Sequence, residues 1–132
     1  MSKELPADDA ERIRQLLARF AHVFDDRESQ ELGEVFSDDA VIELTGSGRT
    51  YRGLAEIRAF HRDLGAGAPD HHTVDTLLLP QDDGTVHARS RYLALLPDGG
   101  VHNGEYRDVL VTTADGWRIA LRRSIPHFPV FG

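Results

Sequence analysis

Apolar residues recur at helical spacing in the first part of the chain. Ile13, Leu16, Leu17, Phe20, Val23 and Phe24 follow the three- and four-residue steps of one helix face, with Pro6 and Asp8 marking its start. Ser29 to Phe36 predicts a second, short helix with Leu32, Val35 and Phe36 inward, and Asp38-Asp39 a turn after it. Ala40 to Leu44 then reads as a strand, and Gly46-Ser47-Gly48 turns the chain into a short strand at Thr50-Tyr51. Gly53 precedes a third helix carrying Leu54, Ile57, Ala59 and Phe60, and a loop runs from Gly65 to Pro69.

Beyond the loop the period changes to that of strands. His71 to Leu79, Thr85 to Leu96, Val101 to Thr112 and Trp117 to Ile125 are strand-like. Their joints, Gln81-Asp82-Asp83-Gly84, Pro97-Asp98-Gly99-Gly100 and Ala114-Asp115-Gly116, carry the Asp and Gly that tight hairpins need. Helices followed by an antiparallel meander predict an α+β fold, with three N-terminal helices packed on a curved, mostly antiparallel sheet. The chain reads as one domain over 1–132, and its apolar tail, Phe128, Val130 and Phe131, suits a pocket mouth or a subunit interface.

Against this pattern a few polar residues stand in core-like stretches. Asp25 follows Val23-Phe24 at a helix C-terminus, where the helix dipole disfavours an acid. A helical wheel puts it beside the apolar stripe, which permits an inward carboxylate without requiring one. His71 and His72 open a strand and face opposite ways. His72 shares its face with Val74, Thr76 and Leu78; His71 shares its face with Thr73, Asp75, Leu77 and Leu79. Both faces are partly apolar, so the period does not choose between the histidines. In the last strand Arg122 lies with Arg118, Ala120 and Ser124, opposite Trp117, Ile119, Leu121, Arg123 and Ile125. The small residues beside Arg122 leave room for a ligand; a salt bridge to a nearby acid competes with that reading. A carboxylate, an imidazole and a guanidinium suffice for proton abstraction and elimination in a closed pocket.

Composition narrows the partners. With 132 residues, 40% hydrophobic and 28% charged, the chain can fold around its own core. A net charge of −7 disfavours nucleic acid and anionic membranes. No apolar run nears the ~20 residues of a membrane span, and Met1 to Asp9 lacks a signal-peptide core. Cysteine is absent, which removes disulfides and thiolate chemistry. No metal-ligand spacing occurs, since adjacent strand histidines do not chelate one ion. A cytoplasmic protein with no cofactor and no metal is expected.

Three stretches carry a family resemblance. They are Phe24-Asp25-Asp26-Arg27 with Leu32 and Phe36-Ser37-Asp38-Asp39-Ala40; Gly48-Arg49-Thr50-Tyr51-Arg52-Gly53 with Ile57; and Gly104-Glu105-Tyr106-Arg107-Asp108 with Asp115-Gly116-Trp117-Arg118. Together with His72 at the head of a strand, they resemble the SnoaL-like branch of the nuclear-transport-factor-two-like superfamily. The pattern is most similar to scytalone dehydratase and hexachlorocyclohexane dehydrochlorinase. The resemblance implies a cone-shaped barrel with a deep apolar pocket between helices and sheet. It implies Asp25 and His72 as an acid–base pair and Arg122 as the stabiliser of developing negative charge. Phe20, Phe24, Phe36, Leu44, Val74 and Leu78 would form the walls, with Tyr92, Asn103 and Tyr106 as polar handles. Phe20 and Leu44 stand where ketosteroid isomerase carries a tyrosine and its base, which argues against a steroid-isomerase mechanism. The implied activity is elimination on a small apolar cyclic or aromatic substrate. The alternatives are polyketide cyclisation or isomerisation at the same site, or a non-catalytic binding or assembly module. A homodimer or homotrimer is expected, with no nucleic-acid or membrane partner.

Overall fold

The structure is a computed structural model that describes residues 4–65 and 68–128. The first helix, α1, spans Ala7–Asp25 and buries the six apolar positions that the spacing predicts. Ser29–Glu34 forms a 3-10 helix rather than an α-helix, with Leu32 buried. The strand β1, Phe36–Leu44, begins earlier than expected and absorbs Asp38-Asp39 into a strand irregularity between Phe36 and Val41. It is followed by β2, Arg49–Arg52, and by α2, Gly53–Leu64. The meander is β3, Asp70–Pro80; β4, Val86–Leu95; β5, Val101–Thr113; and β6, Gly116–Phe128. Gly84, Gly99 and Gly116 all take positive φ at the three hairpins, as the Asp/Gly joints require. Of the apolar tail, only Phe128 lies within the described residues.

The strands form one six-stranded sheet in the order β2-β1-β6-β5-β4-β3. All pairings are antiparallel except β1 with β6. The α+β architecture is as expected, with helices packed on a mixed, mostly antiparallel sheet; β2 and β3 are its edges, so the sheet does not close into a strict barrel. Residues from α1, α2 and the inner sheet face share one core, which includes Ile13, Phe20, Ile57, Val86, Leu110 and Ile119. No helix among the described residues is long and apolar enough to cross a membrane.

Two bulges decide which residues reach that core. In β3, Val74 pairs with Arg91 but Leu77 pairs with Arg89, so one extra residue is inserted. Asp75 takes it up at φ 56°. In β6, Leu121 pairs with Val109 but Ile119 pairs with Leu110, so Ala120 is extra. An inserted residue exchanges the faces on its two sides. Ile119 and Arg122, predicted on opposite faces, therefore both point inward, and both are buried.

Candidate active site

Asp25 ends α1 under the first residues of β3. Its Oδ1 accepts from His71 Nδ1 at 2.8 Å, and its Oδ2 accepts from the His71 backbone N–H at 2.7 Å. Two contacts to one residue fix the carboxylate, which in turn fixes the ring. Because a carboxylate accepts only, the proton resides on Nδ1 of the neutral ring and Nε2 keeps its lone pair. The His71 ring sits edge-on to Phe20 and Phe24, with centroids 6.3 and 6.0 Å away.

The expected Asp25–His72 pair is thus corrected to Asp25–His71. His72 is exposed, on the outer sheet face opposite Leu93. The cause is the Asp75 bulge. Counted back from the inward Thr76 and Leu78 with strict alternation, His72 would point in. The extra residue transfers that place to His71 and Thr73. Val74, expected as a pocket wall, is exposed for the same reason.

Arg122 lies at the centre of the inner face and is only 1% exposed. Its Nε and Nη2 donate to Asp108 Oδ1 and Oδ2 at 2.7 and 2.8 Å. The Phe20 and Tyr106 rings lie 4.1 and 4.0 Å from its central carbon. The salt bridge foreseen as the competing reading therefore exists, but it is buried, and Arg122 still lines a cavity. Burial pulls the guanidinium toward neutrality; the charge and hydrogen bonds of Asp108 outweigh it and hold Arg122 above its ordinary value. Burial pushes the Tyr106 phenol well up, so it remains neutral.

The cavity between helices and sheet has a volume of about 110 Å³. Phe20, Phe24, Ile42, Leu44, Phe60 and Leu64 form its apolar wall, and His71, Tyr106, Arg122 and Ser124 its polar side. Phe20, Phe24, Leu44, Tyr106 and Arg122, all singled out in the sequence, thus line one cavity. Phe36 packs edge-on behind Phe20, and Tyr92 stacks behind Tyr106 at 4.7 Å. Leu78 packs against the core without lining the cavity. Asn103 faces away, and its Oδ1 accepts from the Phe128 N–H. A wider groove, about 430 Å³, lies between α1 and β3 and is lined by Asp25 and His71 themselves, with His22, Asp26, Asp70 and His72 along it.

Phe60, Leu64 and Asp108 were not foreseen at the site. Phe60 and Leu64 come from the inner face of α2, and Phe60 was legible in its periodicity. Asp108 lies directly across from Arg122 in the β5–β6 ladder, a pairing that the hairpin register alone determines. His102 shares the inner row of His71, with Ala94 between them. Burial, then the nearby His71, holds the His102 imidazole below its ordinary value.

The comparisons agree with this architecture. A model of the SnoaL-like domain matches residues 6–123. No curated protein matches the chain. Among solved structures, an NTF2-like protein with a cystatin-like fold from Novosphingobium aromaticivorans is 25% identical, with a TM-score of 0.79 over 92% of this chain and 84% of that one. A protein described as a candidate aromatic ring hydroxylase from the same organism is 24% identical, with a TM-score of 0.78 over 96% of this chain and 94% of that one. A candidate scytalone dehydratase, also from that organism, is 16% identical, with a TM-score of 0.77 over 88% and 82% of the two chains. The last two likenesses are likenesses of fold.

Proposed function

The chain belongs to the SnoaL-like domain family, and we propose that it is a cofactor-independent lyase or isomerase acting on a small cyclic substrate. His71 is the general base. Its Nε2 takes a proton from a carbon of the substrate, and Asp25 stabilises the imidazolium that results. The electron pair released builds negative charge on a carbonyl oxygen or a leaving group, and Arg122 faces that charge in a low-dielectric cavity. Loss of water or acid would then give elimination; return of the proton at another carbon would give isomerisation; attack of the carbanion on a second carbonyl of the same substrate, with the proton passing to the alkoxide formed, would give ring closure.

The observation that carries this reading is the two-point contact of Asp25 on His71, at the wall of the cavity that Arg122 also lines. A histidine fixed in one tautomer beside an apolar space is arranged for proton transfer. A purely structural pair would have no need of the space.

The test is a panel of cyclic hydroxy-ketones, halogenated rings and polyketides read by mass spectrometry. A mass loss of water, of acid, or none with a new product separates the three outcomes. With a substrate in hand, His71→Gln should lower kcat by about 10²–10⁴-fold. His72→Gln should leave it near the wild-type rate. Binding without turnover across the panel would overturn the catalytic reading in favour of a ligand carrier.

A further inference from the structure

Two rows of side chains cross the outer sheet face, on the side away from His71. The register of β3 to β6 sets Leu77, Arg89, Arg107 and Arg123 opposite one another in one row, and Leu79, His87, Val109 and Leu121 in the next. Three arginines thus stand side by side on three adjacent strands. Like charges directly opposite across strands are destabilising. In a chain with a net charge of −7, stability does not ask for this row.

The protein's own acids leave the row partly unmatched. Glu105, in the neighbouring row, accepts from Arg107 Nε at 2.6 Å and from Arg91 Nη1 at 2.8 Å. Glu43 accepts from Arg123 Nε at 2.7 Å. Arg89 stands 4.0 Å from Glu105, beyond hydrogen-bond reach. Among the described residues, the arginine ion pairs of this face therefore set four arginines against two glutamates. A guanidinium has five N–H donors, so Arg107 and Arg123, which use Nε, keep their terminal nitrogens for another acceptor. The Arg89, Arg107 and Arg123 side chains are 44, 52 and 45% exposed, and an acceptor can reach them from solvent.

The same three arginines line a pocket. It has a volume of about 260 Å³, with Arg89, Arg107 and Arg123 on one side and Leu79, Val109 and Leu121, beside His87, on the other. Guanidinium forks pair with carboxylate and phosphate oxygens through two parallel bonds. Exposed ion pairs alone contribute little. The apolar row beside the arginines supplies the second contact that a specific ligand needs.

We propose that this pocket binds a small amphipathic anion, its carboxylate or phosphate head on the arginine row and its apolar body against Leu79, Val109 and Leu121. The site is separate from the His71 cavity and does not depend on that histidine being a base. A second copy of the chain is the less suited occupant, because a two-fold contact centred here would set the arginine row against itself.

The test is an amide NMR titration of the full chain at low ionic strength. Phenyl phosphate or benzoate should shift the Ala88, Arg107, Asp108 and Val109 amides to saturation, and the tighter of the two identifies the head. Benzyl alcohol keeps the ring without the charge; inorganic phosphate and acetate keep the charge without the ring. Each of these should bind at least about tenfold more weakly than the matching aromatic anion. Added salt should weaken binding of the anions. Arg89→Gln with Arg123→Gln should also weaken it by about tenfold or more. Neither side chain donates a hydrogen bond to Glu105, whose partners Arg91 and Arg107 stay in place. Arg12→Gln with Arg49→Gln changes the net charge equally but away from the pocket, and should leave the affinity unchanged. No saturable shift at these amides would overturn the proposal, as would equal affinity for benzyl alcohol, unchanged binding in the Arg89 and Arg123 variant, or shifts confined to the surroundings of His71. If that variant does not fold, the charged and neutral probes on the wild-type chain decide.

Discussion

Arg122 brings a full charge into the interior, and a buried ion carries a desolvation penalty of several kcal/mol even after relaxation. Three neighbours offset it: the bidentate carboxylate of Asp108 and the two aromatic faces, each of the latter contributing about 0.5–2 kcal/mol. The imidazoles face a similar choice. His61 is buried yet fully used, with Nδ1 on Ser29 Oγ and Nε2 on the Phe24 carbonyl, so it ties α2 to α1 rather than serving chemistry. His102 is held below its ordinary value of 6.5 by burial and then by His71. Below that pH the unfolded chain binds a proton that the folded chain resists. His102 therefore contributes stability that is full above about pH 6.5 and lost as the pH falls toward the depressed folded value. Urea unfolding at a series of pH values should show this slope, and His102→Gln should flatten it. An unchanged slope in the variant would exclude His102 as its source.

At the scale of elements, the bulges in β3 and β6 have the larger consequences. Each inserts one residue, and each reverses the parity of everything N-terminal to it relative to the core. The β3 bulge brings His71 to Asp25; the β6 bulge lets Ile119 fill the core while Arg122 still points inward. Asp75 sustains the first of these at φ 56°, a conformation that Asp tolerates and a β-branched residue does not. Asp75→Val should destabilise the protein by about 1–2 kcal/mol, and Asp75→Gly should be close to neutral. Urea unfolding checks both. If Val is tolerated as well as Gly, the bulge is not held by residue 75.

At the scale of the molecule, the two sheet faces differ sharply. The large apolar side chains that remain exposed among the described residues, Val74, Leu77, Leu79, Leu93, Leu95, Val101 and Phe128, all lie on the outer face of β3 to β6. Scattered exposed apolar residues need no explanation, but a set gathered on one face does. Phe128 is 68% exposed, a poor place for an aromatic ring in an isolated chain. We expect a second copy to cover this face, in keeping with the homodimer or homotrimer that the apolar tail suggests. Light scattering should report an oligomer at micromolar concentration, and Leu95→Glu with Val101→Glu should convert it to monomer. A monomeric wild-type chain would refute the assembly.

The sequence by itself determined the order and type of the elements, because helical and strand periodicities are local and the Asp/Gly hairpins announce themselves. It also determined that Asp25 and Arg122 were worth attention, since a charge in an apolar stretch is visible without a structure. Only the tertiary structure decided which histidine meets Asp25. Alternation assigns faces from one residue to the next, and a bulge breaks that chain of inference; a lone Asp75 in the strand reads equally well as an exposed polar position. The same holds for Asp108, whose partner is fixed by cross-strand register, and for the cavity wall of Phe60 and Leu64, which exists only where α2 is laid across the sheet. Local patterns fix what each segment is; contacts between segments distant in sequence fix what its side chains meet.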